Sequence, residues 1–311
     1  MKPIAGTEHS SGSVLDKVGD FIIHHISNSD IHHPIIHLPN ILGIDFSVTK
    51  HVLMLWLTAI IVGTIVIFPV RSYVSKGAGK SPTGLANALE AIVSFLRDSV
   101  IKPNVGSKAV DTWAPLILSF FFFILVANGL GLVPIFDTIG ALARFVFGVE
   151  SSDEHSFANL LLHGGATATG NFVVTSALAS ITFLSIIVAG TKTHGFIVHW
   201  KNLVPSGLAW PVYIILIPIE IISMFVKPFA LTMRLAANMT GGHIAILAIL
   251  SFIPIFAEVF QTSFAGFGIA VFSVPIASAL IGLEIIVTLV QAYVFTLLSA
   301  VFIGMAINVH H

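Results

Sequence analysis

Long uncharged apolar runs dominate the hydropathy pattern. From His51 to Val70, HVLMLWLTAIIVGTIVIFPV, 20 residues pass without Asp, Glu, Lys or Arg, enough at the helical rise to cross roughly 30 Å of hydrocarbon. A second run covers 114–135, APLILSFFFFILVANGLGLVPI, and a third covers 172–190. Residues 71–111 differ in kind. They carry Arg71, Lys76, Lys80, Arg97, Lys102 and Lys108, while Leu85, Leu89, Ile92, Val93, Leu96 and Val100 recur at helical spacing. That spacing predicts an amphipathic helix lying on a surface. Two further apolar stretches, about 210–252 and 269–308, are each near 40 residues long. Each is a pair of spans, a broken helix or one steeply tilted helix, and periodicity does not choose. The pattern predicts an all-α integral membrane protein with about five or six membrane helices, a single transmembrane domain over 51–311 and a polar segment over 1–50.

Composition agrees. Of 311 residues, 56% are apolar and 9% are charged, against about 25% charged in soluble domains. Fourteen Lys and Arg are too few for a broad nucleic-acid surface, so no nucleic acid is expected. Cys is absent, which excludes disulfides and thiolate metal sites. Six of the 14 histidines (His9, His24, His25, His32, His33, His37) precede the first run. Their spacing matches no closed tetrahedral zinc pattern, so a solvated segment or a contact with a neighbouring subunit is expected, with no metal and no cofactor. GAGKS at 77–81 imitates the end of a P-loop, but Val74 stands where its first glycine belongs, so no nucleotide site is expected in this chain. No cleavable signal or transit peptide is expected from the start of the chain either.

Basic residues orient the spans. Six Lys and Arg follow the first run, and Lys192 and Lys201 follow the third, whereas the loop between the second and third has only Arg144 among Asp137, Glu150, Asp153 and Glu154. The two basic loops are therefore expected inside, with the N-terminus and the acidic loop outside and the C-terminus inside.

Five ionisable side chains interrupt the oily stretches: Glu220, Lys227, Arg234, His243 and Glu284, accompanied by Asn238 and Gln291. A central charge costs about 2.5 to 3.5 kcal/mol on insertion scales, so such groups mark an ion path by default. At roughly 100° per residue, Glu220, Ser223, Lys227 and Asn238 fall within about 40° of Arg234, forming one polar stripe, and His243 points to the opposite side. Glu220 precedes Arg234 by roughly 21 Å of helix, and His243 follows it by roughly 14 Å. A carboxylate near one face, a permanent guanidinium in the middle and an imidazole near the other suggest two protonatable pathways separated by a fixed charge.

The segments EIISMFVKPFALTMRLAANMTGGH (Glu220 to His243) and EIIVTLVQAYVF (Glu284 to Phe295) closely resemble subunit a of the F-type ATP synthase. The likeness joins KPxxLxxRLxxNMxxGH to ExxxxLxQAYVFTLL, and weaker similarity runs through NGLGLVP and TGNFVVTSALASITFL. About three quarters of the chain is covered; the His-rich preface and the long 136–166 loop depart from the family pattern.

The resemblance implies that the last two stretches are long, nearly horizontal helices curving round a rotating ring of c subunits. It implies proton entry and exit through two aqueous half-channels. It places Arg234 as the essential arginine, His243 and Glu284 on the outer half-channel, Glu220 on the inner one, and Asn238 and Gln291 as polar neighbours of the arginine. Lys227, beside Pro228, reads as a structural or snorkelling residue or, with Ser223, as a secondary member of the proton path. The implied partners are the c ring, subunit b of the peripheral stalk, the catalytic head, the lipid membrane and protons. The expected location is a bacterial inner membrane, with a mitochondrial inner membrane as the alternative. A self-contained proton-coupled secondary transporter is the rival reading, although no internal repeat pairs one half of the chain with the other; a membrane scaffold is a third, against which five intramembrane charges argue.

Overall fold

A computed structural model describes residues 18–19, 38, 47–75, 81–132, 142, 145, 167–201 and 210–308. The N-terminal histidines, Lys76, Lys80, most of the GAGKS turn, Arg144 and nearly all of the 136–166 loop lie outside the described residues.

The described chain is helical: α1 (Lys50–Ser75), α2 (Leu85–Phe95), a π-helical stretch (Leu96–Ile101), α3 (Lys102–Val105), α4 (Val110–Leu132), a 3₁₀ turn (Ala168–Gly170), α5 (Phe172–His194), α6 (Phe196–Lys201), α7 (Trp210–Val259) and α8 (Ser263–Ile307). No β-strand occurs among the described residues. Five helices, α1, α4, α5, α7 and α8, are long and apolar enough to cross a membrane.

Boundaries differ from the sequence expectation in physically sensible ways. α1 runs past Val70 through Arg71 to Ser75, because a long cation at a helix end extends its head to water while its stem stays on the oily face. The amphipathic segment is helical only from Leu85, and a π-helical stretch at 96–101 shifts its register, burying Leu96, Val100 and Ile101 together. Both long stretches are single helices, of 50 residues for α7 and 45 for α8. Glu258 is exposed in the last turn of α7. The break comes at Gln261, whose positive φ of 48° closes the turn with Thr262 N–H donating to Ala257 O at 3.0 Å, as a left-handed C-terminal residue does.

The chain separates into two compact units, one of Met1–Ser27 with Thr240–Glu284 and one of Asn28–Met239 with Ile285–His311. In the larger, Phe120, Phe121, Phe122 and Ile124 of α4 meet Leu231 and Leu235 of α7 and Ala292 and Phe295 of α8. The Phe120 and Phe295 rings pack edge to face with centroids 5.5 Å apart, a favoured quadrupole arrangement. A second apolar cluster joins Ile101, Val105 and Ile117 to Ala300 and Ile303. α5 begins where the Asn171 side chain accepts from Val173 N–H at 2.8 Å, satisfying one of the donors that a helix start leaves unpaired. The smaller unit holds the end of α7 and the first part of α8, with Phe256 ring-packed against Phe252 and Phe260.

Candidate functional site

In the larger unit, the middle of α7 has two contrasting sides. Leu231, Thr232, Leu235, Ala236 and Met239 are buried, whereas Ala230, Met233, Arg234, Ala237 and Asn238 are exposed. Alanines one turn before Arg234 and three residues after it keep that exposed surface low, so the guanidinium stands on a shallow face rather than in the core. One turn on, Asn238 Nδ2 donates to Gln291 Oε1 at 3.1 Å. Gln291 is buried, and this bond satisfies its amide oxygen while holding the Asn238 side chain on the side of α8. The sequence stripe therefore persists but changes in depth: Glu220, Ser223 and Lys227 are half-buried, and Arg234 and Asn238 are exposed. Lys227 is occupied within the chain, its Nζ lying 5.7 Å from the Phe302 ring centroid, within cation–π range.

In the smaller unit, His243 Nδ1 and Glu284 Oε1 are 3.0 Å apart. The imidazole side chain is 27% exposed and the carboxylate side chain 4%, so the pair opens on the histidine side and is closed on the glutamate side. Glu284 Oε2 is buried with no hydrogen-bond partner. A buried polar oxygen without a partner is uncommon in a folded chain, and it leaves this carboxyl one open hydrogen-bonding position. Gly242 makes room for it: a Cβ there would lie 2.7 Å from Glu284 Oε1.

The structure thus brings together two of the sequence-selected pairs, Asn238 with Gln291 and His243 with Glu284. It gives Glu220 no ion pair among the described residues. Two buried polar features went unassigned from sequence. Thr288, one turn after Glu284 in the sequence of α8, has a buried hydroxyl without a partner, and a polar residue four positions from a membrane carboxylate is the signal that finds it. Asn128 on α4 accepts a hydrogen bond from the Thr169 hydroxyl, and its Nδ2 is buried and unpaired. Gly131 permits this approach, since a Cβ there would overlap the Thr167 side chain.

Outside the long helices, Arg97 Nη2 donates to Asp111 Oδ1 at 2.8 Å, and this exposed bond raises the guanidinium pKa further above its ordinary value. His199 is buried; burial first, and the nearby His194 second, hold its pKa below the ordinary imidazole value.

An all-α multi-pass membrane protein with a hydrogen-bonded imidazole–carboxylate pair, and a guanidinium exposed on a helix of 50 residues, belongs to the class of ion-translocating membrane subunits. The family described as ATP synthase A chain matches residues 52–304. The chain is 39% identical over 305 residues to a protein named ATP synthase subunit a 2 from Chlorobium luteolum, covering 95% of this chain and 78% of that one. It is 38% identical over 314 residues to ATP synthase subunit a 2 of Chlorobaculum tepidum, with 98% and 78% covered. It is 36% identical over 315 residues to ATP synthase subunit a of an Anaeromyxobacter species, with 100% and 64% covered. The chain belongs to the ATP synthase subunit a family, the proton-channel subunit of the synthase membrane sector, which works in a complex with a c ring and other subunits.

Proposed function

We propose that this chain is the stationary proton conductor of a bacterial inner-membrane ATP synthase, in which Arg234 faces the moving ring and separates two aqueous half-channels. The observation that carries this reading is the exposure of Arg234 on a low, small-residue face of an otherwise oily helix. A guanidinium does not lose its proton at working pH, so left facing hydrocarbon it would cost several kcal/mol. An opposing carboxylate that arrives, ionises against it and departs removes that cost during each passage. A proton therefore boards a ring carboxyl on one side of Arg234 and leaves on the other, and the fixed charge blocks a direct leak.

His243 and Glu284 serve the outer half-channel. The partly exposed imidazole exchanges protons with water and the enclosed carboxylate passes them inward. Glu220 serves the inner half-channel, Asn238 and Gln291 hold polar surface beside the arginine, and Ser223 adds a hydroxyl on the Glu220 side. Lys227 is structural, its charge engaged with Phe302. At 1.5 Å per residue α7 is roughly 75 Å long, so a straight helix lies at about 65° to the normal of a hydrocarbon layer of about 30 Å. Steep helices present a long flank to a ring, which a perpendicular span does not.

Arg234→Ala tests the assignment. ATP-driven proton pumping by inverted vesicles should vanish while the complex still assembles; Arg234→Lys should fail as well, because a desolvated ammonium can release its proton. Coupled pumping at the parental rate by the alanine variant refutes it.

A further inference from the structure

A cleft of about 540 Å³ opens in the larger unit between α1, α2, α4 and α5, walled by Gly63, Val66 and Ile67 of α1, Val93 of α2, and Pro115 and Phe122 of α4. Its hydroxyl, on Ser119, is turned onto the Pro115 carbonyl at 2.7 Å. No polar group remains to orient a soluble ligand, and small-molecule sites rely on a few such groups, so the occupant is hydrocarbon. The wall spans residues 62–67 of α1 and 115–123 of α4, roughly 8 and 12 Å of helix. A membrane helix is about 10 Å across and meets its neighbours along about 30 Å; a flexible chain fits the shorter cleft better.

Charge lies beside it. Val93 precedes Arg97 by one turn, and Pro115 follows Asp111 by one turn. Arg97 is bonded to Asp111 at 2.8 Å and lies 4.0 Å from Asp98. Ile67 precedes Arg71 by one turn on the same face of α1. Arg71 is exposed and makes no ion pair among the described residues. A dry cleft with an exposed guanidinium one turn away is complementary to an amphiphile with an anionic head. We infer that the cleft binds an anionic membrane phospholipid, its acyl chain between α1 and α4 and its phosphate at Arg71. A lipid held here fills a void between α1 and α4 that the protein's own side chains leave open.

The test uses the whole complex reconstituted in vesicles with phosphatidylglycerol or phosphatidylcholine, each bearing a photoreactive group in mid-chain, with labelled peptides mapped by mass spectrometry. Phosphatidylglycerol should label residues 62–67 and 115–123. Gly63→Leu should abolish that label by filling the cleft, since a Cβ at Gly63 meets only Ile67 Cδ1, at 3.9 Å. Arg71→Gln, at an exposed site, should cut it about fivefold, the factor one basic side chain contributes near an anionic lipid surface, and leave phosphatidylcholine labelling unchanged. Both variants should pump as the parent does. Equal labelling by the two lipids that neither substitution alters overturns the proposal. So does an absence of label from the cleft when cysteines placed there cross-link to a helix of another subunit, which would make that helix the occupant.

Discussion

Gly242→Ala tests the His243–Glu284 pair without removing either titrating group. The added methyl would sit 2.7 Å from Glu284 Oε1 and 3.0 Å from its Cδ, closer than non-bonded atoms tolerate. What it meets is the far end of a flexible side chain rather than backbone, so the cheapest relaxation swings the carboxylate aside and breaks the 3.0 Å contact with His243 Nδ1. A hydrogen bond to a charged group contributes about 1.5 to 3 kcal/mol, and about 1.4 kcal/mol is a factor of ten. The ratio of bonded to unbonded pairs should fall about 10- to 150-fold. Helix stability moves the other way, by roughly 1 kcal/mol in favour of alanine, so assembly should persist while pumping drops by at least about tenfold. Dye-quench measurement of ATP-driven acidification in inverted vesicles, normalised to assembled complex, reads this directly. If the methyl acts through the pair, combining it with His243→Ala should be no worse than His243→Ala alone. Parental pumping by Gly242→Ala, or losses that multiply in the double variant, would refute the reasoning.

Other consequences are open to measurement. Glu220→Gln should slow passive proton flux initiated from the inner side in vesicles stripped of the catalytic head; unchanged flux would remove Glu220 from the path. His199 is neutral where α6 docks, because burial and His194 lower its pKa. Docking is therefore complete above the undocked imidazole value of about 6.5 and weakens as pH falls below it. Hydrogen exchange of the Phe196–Lys201 amides, corrected for intrinsic rate, should accelerate on acidification, and His199→Phe should abolish that dependence; pH-independent exchange in the parent counts against it. Asn128→Leu strands the Thr169 hydroxyl and should cost about 1 to 3 kcal/mol, part of which Thr169→Val restores. A thermal-stability series in detergent checks this, and strict additivity would sink the coupling.

The spans were legible because their signal is length: 20 uncharged residues have few alternatives to crossing a bilayer. Ends were less so. Pro254 suggests a stop, yet α7 continues to Val259, since a proline removes one donor without forcing a turn and the stop comes from a left-handed Gln261 that no glycine announces. The π-helical stretch left no mark on the apolar periodicity that identified the amphipathic segment. At the site, the stripe from Glu220 to Asn238 followed from spacing on one helix. The bonds joining Asn238 to Gln291 and His243 to Glu284 span 53 and 41 residues. Intra-helix geometry carries no information about such distances, and those pairs entered through family resemblance. Asn128 with Thr169, also 41 residues apart, went unpaired for the same reason.

Burial separates the groups by the work each can do. A residue proposed to pass protons on needs a bonded partner at hand, and the Glu284 carboxylate, 4% exposed, has the more open His243 imidazole 3.0 Å away. A residue that must remain charged gains nothing from enclosure, which only adds a desolvation cost with no protonation change to relieve it. Arg234 correspondingly lies at the surface of α7, where the charge that neutralises it can come from outside the chain. Moving one charge across the membrane yields about 2.3 kcal/mol per 100 mV, far short of ATP synthesis, so several crossings must be summed. In the proposed mechanism the acceptor moves on after each proton while the guanidinium stays behind. The exposed guanidinium of Arg234 suits the fixed part of that proposed division.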